Sequence, residues 1–496
     1  MEKKVLMVKT FKNFITSFMS KYRALPITFK VSIGYFLCIV LQKIANLVTL
    51  PLFTRWLSPE DYGKLSLYIS WKTIFVIFCT LNLYSGTYNA GFNKFNEKKN
   101  EFTSAIQGLL ITLSIIFIFI YLIFNNFITR VIGLPFLIML SMFIEILGSS
   151  LVLLWNARQR FAYKYISILV ITILVYLFTP LVTIFLMGIS KNKLITRIVV
   201  QAILTLIFVL PFAKRIHIKN FFYNKTYWKF ALFFSIPLIP HYLSQIILTQ
   251  SDRIMIDKLC NRTDVAIYSA GYTIGLIANL LVTSVGQVYG PWLFKVLRIK
   301  DYKKVKTASN VILIGGMFCI ILLVLLAPEY IQFILPPNYH QVIYIIPAVA
   351  VSTYYQLIYN LVSNVEFFYL KNKFILISSM IAATLNVILN LIFIPKYGFI
   401  AAGYTTLVSY FFYGISHFIF VMKICDAEIN TQLYDKFFFI LTSMIMILFS
   451  VIAVILYDYL YLRYFVISLI LGISLLEVYK NKEIIFRILN KNKEEK

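Results

Sequence analysis

The residues of this sequence that could do chemistry are ionisable and amide side chains set inside long apolar stretches. Lys43, Asn46 and Leu50 recur at helical spacing, with Gln42 beside them, so Lys43 and Asn46 share one face of a helix. A charge at the centre of a membrane-crossing helix costs about 2.5–3.5 kcal/mol on insertion scales and therefore faces a cavity or a partner. Two roles are open to Lys43: contact with an anionic substrate, or a structural pair with a carboxylate. Lys72 and Glu145 lie near the centres of two other stretches. They form a Lys-Glu ion pair, or else Lys72 contacts substrate and Glu145 serves ion coupling or gating.

A further stretch holds Pro237, Pro240 and His241 and ends at Asp252-Arg253. Each proline removes a helix hydrogen bond and bends the segment. A histidine is the side chain whose ordinary charge change falls near neutral pH, so His241 suits ion coupling or gating; the alternative is that it satisfies a carbonyl freed by the kink. Arg253 suits a phosphate contact or an outward gate, and Asp252 an ion-coupling role, against an interfacial ion pair between them. Asn386 and Asn390, one turn apart, either bind a sugar or hydrogen-bond two helices together. Glu366 stands beside Lys371 and Lys373, where it is a coupling carboxylate or a structural one whose charge snorkels to the interface.

What must position these residues is a set of membrane helices. The chain is 60% hydrophobic and 14% charged over 496 residues, where a soluble protein carries about a quarter charged. Apolar stretches of roughly twenty residues cross a hydrocarbon core of about 30 Å as helices. Spans are expected at 32–53, 65–88, 105–125, 134–155, 165–187, 195–212, 230–250, 265–289, 308–327, 341–365, 374–394, 399–421, 437–457 and 462–478. Lys and Arg are roughly threefold more numerous on the side holding both termini, which makes that side cytoplasmic. Residues 1–30 form a basic segment in which Met7, Phe11, Phe14, Phe18 and Tyr22 line one face, fit to lie on an anionic leaflet, and no cleavable leader is expected. Residues 480–496 are a basic cytoplasmic tail.

The net charge of +27 sits in loops rather than on a soluble domain, so nucleic acid is not expected as a partner. There is no GxxxxGK[ST] loop and no HExxH, and the five cysteines lack paired spacing. No catalytic residues, metal or cofactor are expected, and the chain is not read as an enzyme.

The turn Ser58-Pro59-Glu60-Asp61 through Ser66 parallels Asn261-Arg262-Thr263-Asp264 through Ser269, with Asp61 meeting Asp264 and Ser66 meeting Ser269 at an offset of about 203 residues. Both segments link an odd span to the next even one. Two six-helix units in the same orientation follow, related by an axis along the membrane normal, with a cavity expected between them. The expected fold class is thus an all-α polytopic membrane protein of about fourteen helices: an N-lobe at 31–229, a C-lobe at 230–422 and two added helices at 423–479.

Three segments carry a family resemblance: Leu50-Pro-Leu-Phe-Thr-Arg-Trp-Leu-Ser-Pro-Glu-Asp-Tyr-Gly63; Asp252-Arg-Ile-Met-Ile256 leading to Tyr268-Ser-Ala-Gly-Tyr272; and Asn386-Val-Ile-Leu-Asn390 through Pro395-Lys-Tyr-Gly398. In that order the chain resembles the polysaccharide flippases (O-antigen, capsule or teichuronic type) of the multidrug/oligosaccharidyl-lipid/polysaccharide exporter superfamily. The resemblance implies a transporter in a bacterial or archaeal cytoplasmic membrane. It would carry polyprenyl-diphosphate-linked oligosaccharide to the outer leaflet by alternating access, alongside membrane lipids and polysaccharide polymerase or chain-length machinery. Two other readings stay open: an H⁺- or Na⁺-coupled drug or metabolite exporter of the same superfamily, and a membrane sugar polymerase.

Overall fold

The computed structural model describes residues 27–480, with side chains given at all but a few positions, Asn46 being one of the exceptions. The expected amphipathic segment and basic tail lie outside the described residues apart from their innermost ends. The long helices are α1 (Ile27–Trp56), α2 (Pro59–Thr80), α3 (Lys99–Ile123), α4 (Phe136–Phe161), α5 (Tyr165–Ile189), α6 (Lys193–Ile216), α7 (Lys225–Leu259), α8 (Arg262–Arg298), α9 (Tyr302–Leu325), α10 (Ile346–Phe368), α11 (Asn372–Tyr397), α12 (Phe399–Ile424), α13 (Lys436–Leu456) and α14 (Leu460–Lys480). A long helix therefore stands at each expected position. Among the described residues ten are long and apolar enough to cross a membrane, or eleven if the bent pair Pro337–Tyr344 and α10 counts as one span. The chain is an all-helical, multi-pass membrane protein.

The helix starts follow from their capping residues. Ser58 accepts from the Asp61 amide at 3.1 Å, with Pro59 at the first helical position and two acidic residues complementing the helix dipole. Asn261 does the same for the Asp264 amide at 2.9 Å. The two turns compared in the sequence thus share one local device. Asn224 caps α7 through the Thr226 and Tyr227 amides, and Asp435 caps α13 through the Phe438 amide.

Large apolar side chains such as Phe185, Ile189, Leu448 and Phe465 remain exposed on these helices. In water that would be unsupported; against hydrocarbon it costs nothing, because a helix pairs most of its backbone polar groups internally.

The chain divides into two compact units, residues 1–243 and 244–496. The boundary falls within α7, just after the 3-10 turn Ile236–Leu238 that Pro237 and Pro240 enforce. In the first unit α4 packs against α2, α3 and α6, and Trp155, Ile171, Val175 and Val209 lie in its core. The early part of α7 belongs here: Trp228 donates to the Ala105 carbonyl at 2.9 Å, and Thr87 and Ser235 share a hydrogen bond of 2.6 Å.

In the second unit α10 is the central helix, packed against α8, α9, α12 and α13. A Cβ added to Gly414 on α12 would lie 2.8 Å from the Tyr355 carbonyl oxygen on α10, so only glycine lets these two helices approach so closely. The last two helices belong to this unit. Tyr355 donates to the Ser443 carbonyl at 2.9 Å, Tyr457 to that of Val324 at 3.0 Å, and Arg463 pairs with Glu329.

Candidate functional site

Among the described residues three carboxylates are buried, Glu145 in the first unit and Asp252 and Glu366 in the second, and each gathers polar partners. In the first, Lys72 on α2 reaches Glu145 on α4 with Nζ 2.8 Å from Oε1, and Tyr68, one turn before Lys72, donates to Oε2 at 2.5 Å. Glu145 is 7% exposed. Lys72 and Glu145 are thus an ion pair in this structure, with Tyr68 as its third member. Arg197 on α6 stands within electrostatic range of Glu145, stacks on the Phe53 ring at 4.8 Å and donates to Gln201 at 3.1 Å. Its Nε is buried and has no hydrogen-bond partner among the described residues. Lys72 and Arg197 against Glu145 leave this cluster one positive charge in excess. Arg197 is absent from the sequence candidates; two residues into the expected span 195–212, it reads as an end-of-span cation.

Lys43 is half-buried on α1, and among the described residues no carboxylate pairs with it. The side chain of Asn46 lies outside the described ones. His241 is half-buried in the first unit, its ring beside Tyr242 with centroids 5.9 Å apart.

The second unit brings three sequence candidates together, Asp252, Asn386 and Asn390. Asp252 is fully buried on α7. Its Oδ2 accepts from Tyr268 on α8 at 2.5 Å and from Thr406 on α12 at 2.7 Å, and its Oδ1 from Asn390 on α11 at 2.7 Å. Asn390 donates also to Asn386 Oδ1 at 3.3 Å and accepts from Thr405; Asn386 accepts from Ser251 at 3.0 Å and donates to Thr406 at 3.3 Å. Four helices are thus tied through one carboxylate, as a buried charge requires.

Two sequence expectations are corrected here. Asp252 and Arg253 do not end the helix, which continues to Leu259. Nor do they form an interfacial ion pair: Arg253, 8% exposed, donates to Ser269 at 3.1 Å and to the Thr249 carbonyl at 2.8 Å, with its guanidinium 4.5 Å from the Tyr272 ring centre. Polar residues here lower hydropathy without ending the helix, since protein partners replace water.

Glu366 also departs from expectation. Lys371 pairs with Glu428 at 3.0 Å instead, and Glu366 is fully buried, its carboxylate oxygens 2.8 and 2.9 Å from Nδ1 of His417 on α12. His417 was legible only as an ionisable residue within an apolar helix, a signal that marks function by default.

These clusters can hold charge inside a membrane. Among the described residues no group of three or more His, Cys, Asp or Glu is placed to hold a metal.

The sequence profile described as "Polysaccharide biosynthesis protein" matches residues 30–297. The Lsg locus protein 1 of Haemophilus influenzae is 24% identical over 380 residues, covering 72% of this chain and 89% of that protein. A structure described as "Lipid II flippase MurJ, inward closed conformation" superposes with a TM-score of 0.59 at 15% identity, over 88% of this chain and 99% of the other. An inward-facing multidrug resistance MATE family transporter of the MOP superfamily gives a TM-score of 0.57 at 14% identity, over 79% and 96% of the two chains. At these identities the structural likenesses speak for the fold alone: it is that of the MurJ and MATE transporters.

Proposed function

The chain belongs to the polysaccharide biosynthesis protein family, and from that premise we propose that it is a flippase. It moves polyprenyl-diphosphate-linked oligosaccharide repeat units from the cytoplasmic to the outer leaflet, by alternating access, for cell-surface polysaccharide such as O-antigen. The observation that carries this reading is the pairing of that family with a transporter fold shared with a lipid II flippase.

The proposal includes fourteen spans, as two six-helix lobes at 31–229 and 230–422 plus two helices at 423–479, in a bacterial cytoplasmic membrane with both termini inside. Lys43, Asn46 and Lys72 contact the anionic substrate, joined by Arg197, and Arg253, Asn386 and Asn390 serve it from the second unit. A diphosphate pays heavily to enter a low-dielectric region, and cations held there offset that cost. Glu145, His241, Asp252 and Glu366 serve ion coupling or gating. The lipid-linked oligosaccharide and membrane lipids are the partners, with the polymerase and chain-length machinery acting on the product.

The likeness to multidrug transporters favours a second reading, an H⁺- or Na⁺-coupled exporter. A cationic drug calls for excess carboxylate, whereas the first unit's cluster carries excess positive charge. The test is reconstitution of the full chain in liposomes holding a fluorescent polyprenyl-diphosphate disaccharide, with an impermeant quencher added outside. Protein-dependent movement of that lipid between leaflets is expected. Movement of cationic dyes in its place would favour the exporter.

A further inference from the structure

We propose that Glu366 and His417 form a proton-binding site, loaded with one proton as a net-neutral pair while buried and emptied to water during the transport cycle, so that flux responds to a pH gradient. This rests on the transporter reading above and names where a proton acts in it.

The argument starts from burial. Glu366 and His417 are both 0% exposed and lie on helices of the membrane domain, α10 and α12. Nδ1 of the imidazole faces both carboxylate oxygens, at 2.8 and 2.9 Å, while Nε2 is buried and has no hydrogen-bond partner among the described residues. Aromatic rings enclose the imidazole: Tyr413 at 4.7 Å, Tyr359 at 4.8 Å and Phe374 at 5.3 Å between centroids.

The titratable groups facing the pair are tyrosines. Tyr359 comes from α10 and Tyr413 from α12; α11 contributes the apolar Phe374; Tyr434, in electrostatic range of Glu366, comes from the segment before α13, where it donates to the Leu361 carbonyl at 2.9 Å. Lys371, the nearby cation in sequence, is committed to Glu428. Among the described residues the one cation that can sit against an ionised Glu366 is therefore a protonated His417.

Proton bookkeeping then leaves two occupancies. In the emptied pair, Nδ1–H donates to an ionised Glu366, Nε2 is bare and the net charge is −1. In the loaded pair one more proton is present, Nε2 carries a hydrogen and the net charge is zero, whether the bridging proton rests on Nδ1 or on the carboxylate. Isolated charge is strongly disfavoured in a low-dielectric interior, so the closed site holds the loaded form. Release passes the Nε2 proton to water once water reaches the ring, and reloading reverses this. A purely structural link between α10 and α12 would need no ionisable partners, since an amide and a hydroxyl would serve.

The test has two arms. Full-length protein in nanodiscs with ¹⁵N-labelled histidine is titrated, and the His417 signals are those missing from His417→Asn. A protonated Nε2 at neutral pH is expected, with deprotonation at a higher pH that Glu366→Gln moves by about one pH unit or more. An Nε2 that stays bare between about pH 5 and about pH 9, or an unchanged transition in Glu366→Gln, overturns the proposal. In the second arm the liposomes above are given a pH gradient, and the ratio of flux with and without it is read. A ratio of about fivefold or more in the wild type should fall towards one in Glu366→Gln and His417→Asn. An equal ratio in wild type and variants overturns the proposal while leaving the flippase reading intact; no lipid movement by the wild type removes the flippase reading while the titration still decides the proton site.

Discussion

Asn390 on α11 donates to Asp252 on α7 across 2.7 Å, and this bond joins two of the segments on which the family resemblance rests. It gives those segments a physical reason to occur together. A buried carboxylate on one helix needs an amide donor on another, and Tyr268 and Thr406 supply the remaining donors. Replacing Asn390 by Ala leaves Asp252 short of one donor and should cost about 1–3 kcal/mol. Thermal unfolding of the full chain in nanodiscs reads that loss, and Asn390→Asp should be worse because it sets two carboxylates together. Equal stability of wild type and Asn390→Ala would remove this bond from the account.

Among the described residues Glu145 is the one carboxylate set against the two cations of its cluster, so removing it and removing Lys72 should not be equivalent. Glu145→Gln leaves Lys72 and Arg197 uncompensated and is expected to destabilise more than Lys72→Met. A double-mutant cycle between Lys72 and Glu145 should give a coupling of about 0.5–3 kcal/mol. Additive effects would show that the 2.8 Å contact contributes nothing.

Asp435 offers a pH signature outside the membrane. Hydrogen bonding from Lys306, 3.0 Å away, and from the Phe438 amide holds its carboxyl below the usual carboxylate range. A depressed folded value means that the stabilisation is fully present above the unfolded pKa of about 3.9 and is lost as pH falls through the folded value. Asp435→Asn should lower the melting temperature at neutral pH and converge on the wild type in acid. A gap between the two that does not narrow below about pH 4 would contradict this.

The close approach of α10 and α12 depends on Gly414. Gly414→Val drives a side chain into the Tyr355 carbonyl and should cost about 1–3 kcal/mol or part the two helices. The same change should disturb the Glu366–His417 pair that bridges them, read as a shift in the His417 ¹⁵N signals.

How much of this was legible beforehand varied with the physics. Helix positions were readable because hydropathy follows solvent, and lipid contact dominates most of each span. The end of α7 was not: Gln250, Ser251, Asp252 and Arg253 look like an exit into water, yet the helix continues to Leu259 and tertiary partners cover Asp252 and Arg253. Lys72 and Glu145 stood out as opposite charges in mid-span, and Asn386 and Asn390 as amides one turn apart. His417 is a single imidazole within the aromatic run Tyr404–His417 and has no motif, and Glu366 stands in sequence beside Lys371 and Lys373 although its partner is 51 residues away. Arg197 was hidden by its position near a helix start. In each case the missing knowledge was which helix faces which.

The central claim is tested most directly by depleting the protein in its host and asking which leaflet holds the lipid-linked oligosaccharide that accumulates. Complete units trapped on the cytoplasmic leaflet, released to the outer leaflet when the wild-type chain is restored, are the predicted result. Complete units accumulating on the outer leaflet would contradict the account, because translocation would then have proceeded without the protein.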